Sequence, residues 1–253
     1  MADPDELLAE AEATVFQGWD FSQLGDRLVL EPPPWDFKAI VAKVAASAAT
    51  MLDMGTGGGE WLSSLSTRAP VTVATESWQP NVGVAAARLN VPVVYTESAP
   101  DNHRQEPGDP AGRLPFCTDA FDLVSNRHES FRADEVARVL RPDGVFLTEQ
   151  AQSGSLEFHQ LLGSEAPELQ EFELDMAVAQ LRGAGLTIDD EQAGIATTVF
   201  ADIGSLAWYL RSVPWVVPGF AVSTHRQALL RLHDGPIRVS SQRFWLQAHK
   251  ERT

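Results

Sequence analysis

Residues Met51-Leu-Asp-Met-Gly-Thr-Gly-Gly-Gly-Glu-Trp-Leu62 constrain this chain more than any other stretch. They place four glycines within five positions (Gly55, Gly57, Gly58, Gly59), between an apolar run ending at Asp53 and a helical pattern that begins at Glu60. Glycines at this spacing let a strand turn sharply into a helix and let a ligand approach bare backbone. The first amides of the helix then offer free donors to a nucleotide-like ligand. The segment predicts a strand–turn–helix corner with a cofactor site.

The dinucleotide fingerprint G-x-G-x-x-G requires a third glycine beside the pyrophosphate. Counted from Gly55, that position is Glu60, and a carboxylate there repels an anionic bridge. Asp53, just before the first glycine, suits a cationic ligand group. Val71-Thr-Val-Ala-Thr-Glu76 reads as a strand ending in a second carboxylate, 23 positions after Asp53. An acid about 20 positions beyond such a loop accepts both ribose hydroxyls.

This arrangement resembles motif I of class I S-adenosylmethionine-dependent methyltransferases, an acid followed by G-x-G-x-G. Leu114-Pro-Phe-Cys-Thr-Asp-Ala-Phe-Asp-Leu-Val124 and Glu135-Val-Ala-Arg-Val-Leu-Arg-Pro-Asp-Gly-Val-Phe-Leu147 are similar to two further segments of the type 11 family. Asp143 stands where that family usually has the first glycine of a turn, and Asp tolerates turn geometry. The Asn126-Arg-His-Glu-Ser130 segment, the aromatic stretch near 208 and Trp19-Asp-Phe-Ser22 look like an uncharacterised bacterial branch of that family. The resemblance implies a Rossmann-like, doubly wound, seven-stranded, mostly parallel sheet, with a helical insertion before the last strand. It also implies S-adenosyl-L-methionine as cofactor, held by Asp53, Gly55, Thr56, Gly57, Glu76, Ser77, Asn126 and Arg127. The implied activity is methyl transfer; the charge balance below points to a small-molecule acceptor, with oxygen or nitrogen favoured over carbon.

At 253 residues with 44% hydrophobic content, the chain can hold one large α/β domain with a small addition. Strands alternate with helices from 37 to 149, which implies parallel pairing. Expected helices are 2–13, 37–47, 59–67, 80–89, 132–139, 169–184, one from 202 that stops before Pro214, and 222–233; expected strands are 50–53, 71–75, 91–95, 121–125 and 144–149. Thr187 to Phe200 and Ile237 to Ala248 supply a terminal hairpin. The predicted division is an N-terminal helical cap over 1–48, a core over 49–200 and 236–253, and a helical lid over 201–235. The Pro- and Gly-rich stretch 99–113 is long for a connection, and Asp101 and Asp109 both stand as candidates for the adenine contact.

Net charge is −16, from 35 acidic and 19 basic residues. Phosphate backbones are bound by Lys and Arg that displace counterions, so nucleic acid is a poor partner and RNA methylation the weaker reading. No apolar run approaches the roughly 20 residues that span a bilayer, and the acidic N-terminus does not read as a signal peptide. The single cysteine, Cys117, reads as a small filler and fits a reducing, cytoplasmic location. His225, His233 and His249 lack metal-ligand spacing, so no metal is expected.

Asn126, Arg127, His128 and Glu129 follow a central strand at the carboxyl edge, where open α/β sheets place ligands. His128 is the candidate general base, with Glu129 to orient or assist it; ordinary hydrogen bonding and capping are the bland alternatives. Arg127 has a second reading, as a clamp for a substrate carboxylate. Trp208, Tyr209 and Trp215 are candidate substrate contacts, weighed evenly against a packing role. Trp19 and Trp35 read as packing residues beside Asp20. A non-catalytic cofactor-binding module and an NAD(P)-dependent oxidoreductase are the rival functions.

Overall fold

The computed structural model describes residues 2–15, 21–99, 102, 110–153, 156–166 and 172–252. Trp19, Asp20, Asp101 and Asp109, singled out above, lie outside them. The described residues form eight strands in the order β1-β7-β8-β6-β5-β2-β3-β4, with β8 over Ile237–Lys250. The chain divides into two compact units, one of residues 1–34, 153–171 and 194–242, the other of 35–152, 172–193 and 243–253.

The second unit carries the glycine loop. Its parallel strands are β2 (Thr50–Met54), β3 (Val71–Glu76), β4 (Val93–Tyr95), β5 (Phe121–Arg127) and β6 (Leu140–Ser153). β2 lies between β3 and β5, in register Asp53↔Ala74 and Asp53↔Ser125. Period-two alternation sends Leu52 and Val124 into one apolar cluster and Met51 and Leu123 into another. The parallel strands are therefore covered on both faces, as such sheets require. Asp36 caps α2 (Phe37–Ala45) by accepting from Ala39 N at 3.0 Å. Asn90 closes α4 (Gln79–Leu89) in the left-handed conformation. Asp143, expected in a turn, lies within β6 and adopts positive φ, 62°, at the register shift between Leu140 and Val145.

The first unit joins α1 (Pro4–Ala13), α6 (Leu156–Leu162), α8 (Ile203–Ser212) and α9 (Val222–Arg231) around one core that includes Leu8, Phe158, Phe200, Leu206 and Leu229. Arg27 grips the cap of α8 with two bonds to Asp202, at 2.8 and 2.9 Å, while Nη1 reaches Glu10. N-terminal residues 1–34 and insertion residues 201–235 thus share one unit with 153–171, whereas residues 35–48 fall in the other.

Among the described residues the strand count is eight rather than seven. The additional strand, β1 (Leu28–Glu31), pairs antiparallel with the end of β7 (Leu186–Phe200), Leu28 opposite Phe200. Four residues carry too little alternation to announce a strand, and β1 exists because the long β7 offers it an edge. The short helix α6 was likewise absent from the sequence expectation, and α3 is only Glu60–Ser63 where 59–67 was expected.

Candidate cofactor site

The site lies at the carboxyl ends of β2, β3 and β5, in the second unit. Asp53 is 2% exposed and accepts the Ser125 hydroxyl proton at 2.6 Å. Burial pushes its carboxyl up to about 6, against the opposing pull of the Ser125 and Thr56 hydroxyls and the more distant Arg127 charge. Glu76 is also buried. Its two oxygens accept from Gly57 N at 2.6 Å and Trp78 N at 2.7 Å, yet burial still raises its pKa.

Gly55 has φ 66°, and a Cβ there would lie 2.5 Å from Cβ of Glu129. The side chain of Glu129 therefore rests on the bare backbone of the loop's first glycine. Burial raises the Glu129 carboxyl to about 7, with the Ser98 and Ser77 hydroxyls opposing and the Glu76 charge reinforcing the shift. Gly59, at φ 84°, is kept free of a Cβ by a different neighbour, Leu89 of α4. The glycines thus serve two purposes, a close carboxylate and close helix packing.

Glu60 is paired with Arg88, which also donates to Gly58 O at 2.6 Å. Its charge is spent inside the protein, so repulsion of a pyrophosphate by Glu60 no longer separates the two cofactor readings. That burden passes to Asp53, Glu76 and Glu129, none of which forms an ion pair with a described residue.

The last residues of β5 and those just beyond it diverge. Arg127 donates from Nε to Glu149 at 2.8 Å, and Trp35 Nε1 donates to the other oxygen of Glu149 at 2.8 Å. Asn126 is fully buried, its oxygen accepting from Thr148 Oγ1 at 2.8 Å and Gln150 Nε2 at 2.6 Å, while its Nδ2 has no partner among the described residues. His128 has φ 59° and accepts from Arg243 Nη1 at Nε2, 2.8 Å away. That contact leaves the ring proton on Nδ1. Burial, then the Arg127 and Arg243 charges, hold the His128 pKa well below its usual value, so the ring is neutral near pH 7. The structure does not pair His128 with Glu129: one turns to Arg243, the other to Gly55, Ser77 and Ser98.

Trp208 and Tyr209 belong to the first unit. Trp208 is 2% exposed within its core, and Tyr209 packs against Phe21, Phe158 and Phe200. Both side chains are packing residues there, and Trp215 is 60% exposed. Sequence reading missed Ser125, Ser98, Glu149, Gln150 and Arg243 as members of these networks. Only Ser125 had a legible signal, as the residue opposite Asp53 once two parallel strands are aligned.

No family model and no curated protein sequence matches the chain. Solved structures do resemble it. The YcgJ protein from Bacillus subtilis superimposes with TM-score 0.61 at 20% identity, covering 86% of this chain and 99% of its own. A putative methyltransferase from Bacillus halodurans C-125 gives 0.60 at 16%, over 85% and 99%. The chain shares the fold of these two structures. The same fold also carries other chemistry: the [4+2]-cyclase SpnF matches with TM-score 0.54 at 17% identity, over 98% of this chain and 93% of its own. Function therefore has to be argued from the site. Among the described residues no helix is long and apolar enough to cross a membrane, and no group of three His, Cys, Asp or Glu side chains could hold a metal.

Proposed function

We propose that the chain is an S-adenosylmethionine-dependent methyltransferase acting on a small-molecule acceptor through oxygen or nitrogen. One observation carries this reading: the buried carboxyls of Asp53 and Glu76 and the half-buried one of Glu129 surround the glycine loop without a partner cation among the described residues. Burying unpaired acids is costly, and a cationic ligand would offset that cost. The anionic bridge of a dinucleotide would add to it, which disfavours a nicotinamide cofactor.

In this reading the cofactor supplies an already activated methyl group, and the protein's task is to bind and orient. Glu76 accepts the ribose hydroxyls, its carboxylate fixed by the Gly57 and Trp78 amides. Asp53, held by Ser125, faces the positive end of the ligand. Gly55, Thr56, Gly57 and Ser77 line the cradle, and Asn126 brings a buried amide N–H that still needs an acceptor. Arg127 acts through Glu149 as a strut for the carboxyl edge. His128 is neutral but a weak base, since its pKa is depressed and Arg243 holds its lone pair. Its contribution is to orient the acceptor, and it can take the acceptor's proton only once the ring leaves Arg243, a modest share beside the roughly 7–11 kcal/mol that orientation can supply.

Calorimetric titration with S-adenosylmethionine tests the site. Asp53→Ala and Glu76→Ala each lose more than roughly tenfold in affinity, because each removes a charged hydrogen-bond partner. Unchanged affinity in both variants, or tighter binding of NADH than of S-adenosylmethionine, would overturn the reading. Incubation with radiolabelled methyl donor and a metabolite extract then identifies the acceptor.

A further inference from the structure

The closest neighbour of the loop's first glycine is an acid, and that placement has a functional reading. The Cβ, Cγ and Cδ of Glu129 all lie within 2.8 Å of where a Gly55 Cβ would stand. A ligand held by the glycine loop and Glu76 would share this corner with the carboxyl.

Among the described residues, the surroundings of Glu129 hold hydroxyl groups but no countercharge. From the end of β3 it faces Glu76 and the Ser77 hydroxyl, and from the segment after β4 the Ser98 hydroxyl. From β6, Gln150 Nε2 donates to the Glu129 carbonyl at 3.2 Å, which fixes the backbone and leaves the carboxyl uncompensated. On its own segment, Arg127 is committed to Glu149 and His128 is neutral and turned to Arg243.

We propose that Glu129 discriminates between the charged and the discharged cofactor, its carboxylate favouring the sulfonium over the uncharged thioether that remains after methyl transfer. The inference rests on the cofactor reading above and adds a consequence for turnover: loss of the positive charge weakens the ligand's hold and speeds exchange of product for fresh cofactor. A carboxyl that titrates near neutrality makes this preference depend on pH.

The test is calorimetry with S-adenosylmethionine and S-adenosylhomocysteine at pH 6 and pH 8, on the wild-type protein and Glu129→Gln. Between those values a group titrating near 7 goes from about one-tenth to about nine-tenths ionised, so the wild-type preference for the sulfonium should rise by up to roughly ninefold. The Gln variant should show a lower preference that is flat with pH, which also separates Glu129 from titration of the ligands' own amino groups. Ser98→Ala keeps the carboxyl and removes one hydroxyl that lowers its pKa, so the midpoint of the preference should move to higher pH. That shift decides the matter even where the Gln variant is poorly folded. Equal preferences in wild type and Gln variant at both pH values, or an unmoved midpoint in Ser98→Ala, would overturn the assignment while leaving the cofactor reading intact. Failure of both ligands to bind the wild-type protein would instead bring down the cofactor reading, and this inference with it.

Discussion

Arg127 and Glu149 form a 2.8 Å ion pair at the carboxyl ends of adjacent strands β5 and β6. The residue that looked from its position like a substrate clamp is thereby engaged by a nearly buried carboxylate, which Trp35 holds from the other side. Glu149→Gln should lower stability by about 1–3 kcal/mol, since it weakens a hydrogen bond to a charged group and leaves Arg127 uncompensated. Urea unfolding measures this. In the same variant His128 should titrate lower still, because the Arg127 charge beside it is no longer balanced; histidine NMR reports the shift.

The buried acid on β2 opposes folding at neutral pH. A carboxyl whose folded pKa is raised from 3.8 to about 6 binds its proton more tightly in the folded state. The stability it contributes is present below pH 4 and is lost as pH rises through about 6. Asp53→Asn, which cannot ionise and can still accept from Ser125, should be more stable than wild type at pH 7.5 by about 1–3 kcal/mol. The gain should vanish near pH 4 in thermal melts, and the variant should bind S-adenosylmethionine more weakly.

Substitution of His128 separates positioning from binding. Asn is the suitable replacement because it tolerates the positive φ of this residue better than most side chains. His128→Asn should leave cofactor affinity within about twofold of wild type and reduce the single-turnover rate by roughly 10²-fold or less. An unchanged rate with an identified acceptor would remove His128 from the mechanism.

Gly55→Ala places a methyl group on the Glu129 side chain and strains a backbone at φ 66°. Thermal unfolding should show a loss of about 2 kcal/mol or more. The double variant with Glu129→Ala should recover only part of that loss. It relieves the clash and not the strain, so the two effects should be distinctly non-additive.

The alternation of strand and helix, the turn at 55–59 and the spacing of Asp53 and Glu76 were all legible in the chain, because each is set by short-range backbone geometry and side-chain period. Tertiary structure decided which of those side chains meet. Asp53 finds its hydroxyl donor 72 residues away on β5, Glu60 loses its charge to Arg88, and Trp208 sinks into a core of helices distant in sequence. His128 and Glu129 are neighbours in the chain, yet one turns to Arg243 and the other to Gly55. Outside regular structure no period dictates where a side chain points, and only the packed neighbours fix it.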